Sequence, residues 1–216
     1  MLSAVLGSRG DAPLRILCIG AHSDDIEIGC GGTMLRLLSE RPGCSVHWVV
    51  FSASPEREAE ARVSAAEFLA QAGEASVGVK SFRESYFPAA WSEIKDAIEA
   101  LRAIEPDVVF THRRRDDHQD HCLLGELTWN TFRRHLILEY EVPKYEGDLE
   151  IPNVYAPLPA RVAARKVQTI LRHFVSQQGR SWFRQSTFDG LMALRAVECG
   201  APDGFAEAFH ARKIVV

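Results

Sequence analysis

The chain has 216 residues, of which 46% are hydrophobic and 25% are charged, and its formal net charge is -4. This length can bury one substantial core, and the small negative charge gives no field that would attract nucleic acid or an anionic membrane surface. Apolar runs all fall short of the roughly 20 residues that a transmembrane helix needs, and the N-terminus shows no secretory-signal pattern. We therefore expect a single cytoplasmic domain over residues 1–216, with no nucleic-acid partner and no transmembrane segment.

The cysteine pattern indicates reduced, buried thiols. The number of cysteines is odd and no C-x-x-C pair is present, which argues against both a disulfide framework and a cysteine-type zinc site. Cys122 directly follows His121, but neighbours on a helix point about 100° apart, so we interpret Cys122 as a core residue. The five cysteines are Cys18, Cys30, Cys44, Cys122 and Cys199.

The N-terminal half begins with a strand, a helix and a second strand. The apolar run Arg15–Gly20 is typical of a strand buried on both faces. Thr33 is positioned to cap a helix that ends at Pro42, and the segment 45–51 follows as a second strand.

Two further helix and strand pairs complete this half. Pro55 opens a long helix that stops near Gly73, and a short strand at 77–82 follows. The segment 91–104 has apolar residues at the helical period, and 107–112 predicts another buried strand. This strand leads directly into a histidine-rich segment.

The pattern weakens beyond residue 135. We predict a strand at 136–142, a loop-rich stretch at 145–159 and a helix at 161–175. The segment 205–216 is expected to pack back on the domain, its last residues 213–216 as an edge strand. Together the alternating elements predict a Rossmann-like α/β fold, a mostly parallel sheet with helices on both faces. In such folds the active site lies at the C-terminal ends of the strands.

Two polar clusters follow predicted strands. His22, Asp24 and Asp25 come after the first strand, and the segment 116–121 comes after the strand at 107–112. Imidazoles and carboxylates are the ligands of a hydrolytic zinc ion, which needs three protein ligands and an open position for water. Since neither cluster alone supplies such a set, we expect the two to meet around one ion.

In the first cluster His22 and Asp25 are three residues apart, so they share one face of a turn or helix. Asp24 projects differently and is a candidate general base for a zinc-bound water. The alternative is that Asp24 and Asp25 only cap the following helix. His22 has no capping role, and a second histidine-rich turn stands at another strand end, so we favour the zinc site.

In the second cluster His118 and His121 are also three residues apart, so one could bind zinc while the other does acid chemistry. Asp120 could hold the second nitrogen of either ring, and spacing does not decide which. The alternative, a solvated charged loop, is accepted for the arginines at 113–115 but not for these histidines. The role of His112, at the strand terminus, is left open.

Other signals do not support a function. The glycines at 29–32 lack the spacing of a dinucleotide-binding turn, and neither a G-x-S-x-G elbow nor a P-loop is present. Four further histidines have no partner in the sequence and are interpreted as surface or core residues; they are His47, His135, His173 and His210.

The segments 17–33 and 111–121 closely resemble the paired A-H-P-D-D and H-x-D-H motifs of the LmbE-like, or PIG-L, family of zinc-dependent N-acetylglucosaminyl deacetylases. The resemblance extends through Arg57-x-x-Glu60 to Ala206-Glu207-Ala208-Phe209 near the end of the chain. Ser23 replaces the usual proline, which removes no ligand. The match is sparse between the motifs, where substrate is recognised.

The resemblance implies a set of roles. His22, Asp25 and His121 would bind Zn²⁺ and Asp24 would be the general base. His118 would stabilise the tetrahedral intermediate as an imidazolium, and Asp120 would orient His118. The substrate would be a small N-acetylated sugar or glycoconjugate, hydrolysed to acetate and a free amine, with either Asp24 or His118 protonating that amine. Candidates for holding the sugar are Arg57 and the aromatic residues Tyr86, Phe87, Trp91 and Trp182.

Two other functions remain open at this point. One is a different metal-dependent hydrolase, acting on another amide or on a phosphoester, and the other is a non-catalytic sugar-binding domain on the same fold. The sequence leaves the oligomeric state open, a homo-oligomer included. It also leaves open which metal is loaded in the cell.

Overall fold

A computed structural model describes residues 6–7 and 12–214 of the chain. Within these residues seven strands form one sheet: β1 (Arg15–Gly20), β2 (Ser45–Val50), β3 (Glu74–Val79), β4 (Val108–His112), β5 (Leu136–Tyr140), β6 (Val154–Pro157) and β7 (Ala206–His210). The α-helices of the same residues are α1 (Asp25–Glu40), α2 (Pro55–Phe68), α3 (Trp91–Ala100), α4 (Gln119–Thr131), α5 (Ala160–His173) and α6 (Gln185–Cys199). None of the helices in this part of the chain is long and apolar enough to cross a bilayer.

The strand order is β3-β2-β1-β4-β5-β7-β6. Strands β1 to β5 pair in parallel, and β7 pairs antiparallel with both β5 and β6. The order reverses between β1 and β4, which makes this the switch point where doubly wound sheets form their crevice. The predicted mostly parallel α/β fold is confirmed.

Helices cover both faces of the sheet, as predicted. One hydrophobic core lies between the sheet and α1, α2, α5 and α6, and the other lies under α3 and α4. Strand β1 contributes Ile16 and Cys18 to the first core and Leu17 and Ile19 to the second. Its side chains therefore alternate between two buried faces, which is why the run is continuously apolar.

Helix α1 begins at Asp25, so the predicted start at Thr33 is wrong. The glycines that suggested a loop lie inside this helix, where each costs roughly 1 kcal/mol relative to alanine. They allow close packing: a Cβ at Gly29 would overlap the ring of Tyr140, and one at Gly32 would lie 2.5 Å from Leu158. These close contacts in the folded protein outweigh the low helix propensity of glycine. The helix therefore starts shortly after the end of β1 in the chain.

Differences from the predicted elements concentrate in the C-terminal third. Two elements were not predicted from the sequence: β6, which is four residues long, and α6, whose buried face includes Arg195 in an ion pair with Glu141. A charged residue on the buried face interrupts the apolar period. The last strand is β7, an interior strand, and 213–214 form no strand; residues 215–216 of the predicted edge strand lie outside the described residues. Strand β3 lies at Glu74–Val79 rather than 77–82.

Candidate active site

The structure brings three predicted ligands from the two clusters to one point. His22 lies in the turn after β1, Asp25 is the first residue of α1, and His121 lies in the first turn of α4. His22 Nδ1 is 3.1 Å from His121 Nε2. Asp25 Oδ2 is 3.3 Å from His22 Nδ1 and 3.4 Å from His121 Nε2. All three side chains are buried.

Two further carboxylates fix the orientation of the rings. Asp120 Oδ2 is 3.2 Å from His22 Nε2, and Asp116 Oδ2 is 3.2 Å from His121 Nδ1. A ring N–H that donates to a carboxylate leaves the other ring nitrogen with a lone pair, the form in which histidine binds metals. Once the rings are neutral, the three atoms that face one another can therefore all serve as metal ligands.

This donor set fits a zinc ion. Two imidazole nitrogens and one carboxylate oxygen are ligands that zinc uses, and tetrahedral bonds of about 2.0–2.1 Å separate ligand atoms by about 3.3–3.4 Å. The observed separations are 3.1, 3.3 and 3.4 Å. Two overlapping sets also have closely spaced ligand atoms: His22 with His118 and His121, and Asp25 with His112 and His121.

The electrostatics of the centre favour a positive charge. Burial lowers the pKa of His22, but the charge of Asp25 and hydrogen bonds to Asp120 and Asp25 outweigh it and raise the value to about 10. Burial also lowers the pKa of His121, but the charge of Asp25 and the hydrogen bonds to Asp116 and Asp25 outweigh it and raise the pKa. A field that holds protons on two buried rings would also stabilise a divalent cation.

Asp24 occupies the N-cap position of α1 but makes no side-chain capping bond. Its Oδ1 accepts a hydrogen bond from Arg57 Nη2 at 2.9 Å, whereas Oδ2 is buried without a hydrogen-bond partner among the described residues. Burial raises the pKa of Asp24, and the charge of Arg57 limits the rise. The capping alternative therefore does not account for this side chain.

Asp120 contacts a different histidine from the one that the family resemblance implies. Its carboxylate lies against His22 and also accepts from Ser85 N at 2.6 Å and Phe87 N at 3.1 Å. With His118, only the backbone N–H of Asp120 makes contact, donating to Nδ1 at 3.3 Å. The Asp120 carboxylate thus lies towards the turn after β1, and its contacts favour a role in orienting His22.

His118 is half-buried and lies at the N-cap of α4. Burial and the neighbouring charges of His121 and His22 lower its pKa, so the neutral ring is favoured over the imidazolium expected from the resemblance. Since Nδ1 accepts a backbone hydrogen bond, the neutral ring carries its hydrogen on Nε2. His118 can therefore act as a hydrogen-bond donor without being charged.

His112, left open by the sequence, packs behind the ligands. Its ring stacks on His121 with centroids 3.8 Å apart, and Nε2 lies 3.1 Å from Asp25 Oδ2. Nε2 also accepts from Ala21 N at 2.9 Å. Burial, followed by the charge of His121, lowers the pKa of His112 to about 4, so the ring is neutral. Its position at the end of β4 was the signal available in the sequence.

An open cleft of about 210 Å³ lies over this centre. Arg57 lines it beside Asp24 and also lies 3.6 Å from Glu84. Of the aromatic candidates only Trp182 lines the cleft. The remaining lining residues were not singled out from the sequence and come from segments without a strong pattern; they are Glu84, Val142, Pro143, Lys144, Tyr145, Glu146, Gln177 and Arg180.

The other aromatic candidates have structural positions. Phe87 is fully buried in the core under α3 and α4. The guanidinium of Arg83 lies over the ring of Tyr86, 3.6 Å from the ring centroid. Trp91 is half-exposed and lies outside the cleft. The cleft is instead lined by Tyr145 as well as Trp182, and Ser181 donates a hydrogen bond to the Tyr145 hydroxyl at 3.2 Å.

The fold is that of a doubly wound α/β protein, and at its topological switch point lies a cluster of histidines and carboxylates that could hold a metal ion. A family model described as PIG-L, GlcNAc-PI de-N-acetylase, matches residues 17–132, more than half of the chain. The chain belongs to the PIG-L family, and the resemblance in its motifs is confirmed.

Solved structures share the fold. The conserved protein TT1542 from Thermus thermophilus has a TM-score of 0.73 at 20% identity, covering 94% of this chain and 96% of that one. An N,N'-diacetylchitobiose deacetylase from Pyrococcus horikoshii has a TM-score of 0.72 at 20% identity, with 94% and 84% covered. The 4-carboxy-2-hydroxymuconate hydratase GalB from Pseudomonas putida KT2440 has a TM-score of 0.73 at 16% identity, with 94% and 98% covered. A comparison with curated proteins gave no match.

Proposed function

We propose that this protein is a zinc-dependent N-deacetylase that hydrolyses the N-acetyl group of an amino-sugar substrate to acetate and a free amine. One observation carries the proposal. Three ligand atoms of His22, Asp25 and His121 lie 3.1 to 3.4 Å apart, beside an Asp24 oxygen that has no partner among the described residues. Membership of the PIG-L family supports the same reaction.

His22, Asp25 and His121 would hold the zinc ion. When bound, zinc supplies Lewis-acid chemistry that polarises a carbonyl and makes water a nucleophile near neutral pH. Asp120 and Asp116 hold the outer nitrogen of each ring, so His22 and His121 need to lose a proton but not to reorient in order to bind the ion.

Asp24 is the proposed general base. Its free Oδ2 takes the proton from the attacking water, and its raised pKa makes it a better proton acceptor than an exposed aspartate. Arg57 holds Oδ1 and so fixes the direction of the carboxylate. Having taken a proton, Asp24 is also the group we assign to return it to the leaving amine.

His118 is the proposed partner of the carbonyl oxygen. Its neutral ring has Nδ1 occupied by a backbone hydrogen bond and carries a hydrogen on Nε2. A donor of this kind stabilises the negative charge that develops on the oxygen during attack, a contribution of roughly 2.7–4 kcal/mol in oxyanion holes.

The substrate assignment rests on the cleft and the family. Trp182 and Tyr145 offer aromatic faces of the kind that stack on sugar rings, and Arg57, Gln177 and Arg180 add donors for hydroxyl groups. The N,N'-diacetylchitobiose deacetylase has the same fold and acts on an N-acetylated sugar. A hydratase also has this fold, so the fold alone does not select the reaction.

The test combines metal analysis with a substrate panel. We expect the purified protein to contain about one zinc per chain and to release acetate from N-acetylated sugars such as N,N'-diacetylchitobiose, but not phosphate from sugar phosphates. Acetate release should require the metal and disappear with a chelator. Zinc-loaded protein that binds these sugars without releasing acetate would instead indicate a non-catalytic sugar-binding domain.

The variant Asp24→Asn tests the assigned base. We expect it to retain zinc and to lose about 100- to 10,000-fold in kcat, the range for removing a general base. Asp117→Asn is the matched control, because Asp117 is exposed and does not line the cleft. Full activity of Asp24→Asn would overturn the assignment.

A further inference from the structure

A second polar cavity of about 190 Å³ lies apart from the catalytic cleft. It lies beside the end of β4 and the end of β7, and it shares no lining residue with the cleft. The residues that line it are Arg113, Arg114, Arg115, Glu139, Glu150, Asn153, His210, Ala211 and Arg212. Four of the nine are arginines, and the proposed deacetylation makes no use of them.

The two acidic residues of this cavity already have partners. Glu150 Oε2 forms an ion pair with Arg113 Nη2 at 2.9 Å. Glu139 is buried and accepts a hydrogen bond from the indole N–H of Trp129. Burial raises the pKa of Glu139, and the Trp129 hydrogen bond and the charge of Arg114 limit the rise. Four guanidinium groups thus face two carboxyl groups. The cavity therefore keeps an excess of positive charge.

Three of the arginines form no close ion pair in the described part of the chain, although the charge of Arg114 is near enough to lower the pKa of Glu139. Among the described residues, none of the ion pairs includes Arg114, Arg115 or Arg212, although Arg212 lies over the Trp129 ring at 5.1 Å. Guanidinium groups that share one cavity repel each other unless an anion lies between them. Their planar donors match the oxygens of a phosphate group in a bidentate geometry.

His210 adds an independent observation. Its Nε2 atom is buried and has no hydrogen-bond partner among the described residues. The backbone around it is held in place, because Asn153 and Ala211 exchange two hydrogen bonds of 2.8 Å each. When Nε2 carries a hydrogen, an anionic ligand in this cavity would supply the partner that it lacks.

We propose that this cavity is a binding site for the phosphate or pyrophosphate group of a small molecule. Arg114, Arg115 and Arg212 bind the phosphate oxygens, and His210 Nε2 lies within the same cavity as a further polar partner. The site is independent of the metal centre and of the proposed deacetylation.

The test is a titration of the full-length protein with inorganic phosphate and with pyrophosphate at constant ionic strength, followed by calorimetry and by the ring NMR signals of His210. We expect saturable binding of one anion and an upward shift of the His210 pKa on binding, because burial and then the charge of Arg113 lower that pKa in the free protein. Absence of a saturable change at His210 would overturn the proposal.

Charge-removing variants locate the site. Arg115→Gln and Arg212→Gln should each weaken binding about tenfold, the value of one charge-assisted hydrogen bond. Arg161→Gln, an exposed arginine on α5, is the matched control and should change nothing. Equal weakening by all three variants would mean that only the overall charge of the protein matters, and the proposal would fail.

Two further arms distinguish this cavity from the catalytic cleft and from a lipid-binding surface. Binding should persist in chelator-treated protein and in Arg180→Gln, since both affect the catalytic cleft alone; loss in either would place the anion there. Vesicles containing anionic lipid should not compete with free phosphate. Binding to such vesicles without binding of phosphate or pyrophosphate would refute a small-molecule site.

Discussion

Replacing Asp120 with asparagine turns one acceptor oxygen into an amide donor and keeps the shape of the side chain. In the native protein Oδ2 lies 3.2 Å from His22 Nε2 and 2.6 Å from Ser85 N, while Oδ1 accepts from Phe87 N at 3.1 Å. An asparagine can satisfy at most two of these three donors, because its amide nitrogen would face another N–H. The substitution also removes the charge that keeps a hydrogen on His22 Nε2.

We expect Asp120→Asn to weaken zinc binding by about 10- to 100-fold, the usual cost of losing the partner behind a ligating histidine. This corresponds to about 1.4–2.8 kcal/mol. The assay is competition with a chromophoric chelator, followed by kcat at saturating zinc, which should fall less than the zinc affinity does. Asp117→Asn is the control, since that residue lies nearby but its side chain does not contact the ligands.

The outcome separates two roles for Asp120. If this residue acts through His22, the defect lies in metal affinity and excess zinc largely restores turnover. If it acts on His118, as the family resemblance implies, zinc affinity stays unchanged and kcat falls at every zinc concentration. The second result would refute the role that we derive from the hydrogen bonds of the carboxylate.

Three other predictions concern packing, pH and the metal. Gly29→Ala should lower the free energy of unfolding by about 1–3 kcal/mol in denaturant titrations, because the added Cβ would overlap the Tyr140 ring. Gly190→Ala on α6, where no atom lies near the added Cβ, should raise it slightly. Equal effects of the two substitutions would contradict the packing argument. The acid limb of the kcat/KM pH profile should lie above the ordinary aspartate pKa of 3.8, because the base must be ionised and burial raises the pKa of Asp24. Arg57→Gln should move this limb to higher pH, because the charge of Arg57 lowers that pKa. An unmoved limb would exclude Asp24 as its source. Zinc binding near pH 7 should release protons from the centre, because the carboxylates outweigh burial and raise the pKa of His22 to about 10 in the metal-free protein. Calorimetry in buffers of different ionisation enthalpy measures this release. Absence of a release would show that the rings are already neutral.

The sequence predicts the parts of the site that depend on strand ends. Apolar runs locate β1 and β4, and the parallel topology places the residues after them at one edge of the sheet. That reasoning brings His22, Asp25 and His121 together correctly in space. It works because burial on both faces leaves a strong signal in a parallel strand.

The features that could not be predicted from the sequence depend on contacts between segments that are far apart in the chain. The partner of Asp120 lies 98 residues away in the chain, and helical spacing carries no information about it. The start of α1 was wrong because glycine propensity describes an isolated helix, whereas here each missing side chain makes room for a neighbour such as Tyr140. Helix α6 was missed because a buried ion pair replaces an apolar contact on its inner face.

The carboxylates that orient the histidines also hold separate segments of the chain together. Asp120 joins the start of α4 to the turn after β1 and to the turn at 85–87, and Asp116 joins it to Lys144 at 3.0 Å. Ser85 adopts a left-handed backbone with φ 66°, which costs a non-glycine residue roughly 1–2 kcal/mol. Its short hydrogen bond to a buried carboxylate offsets that strain. The ring orientations are therefore set by folding itself, and a cation that enters finds its ligands already ordered.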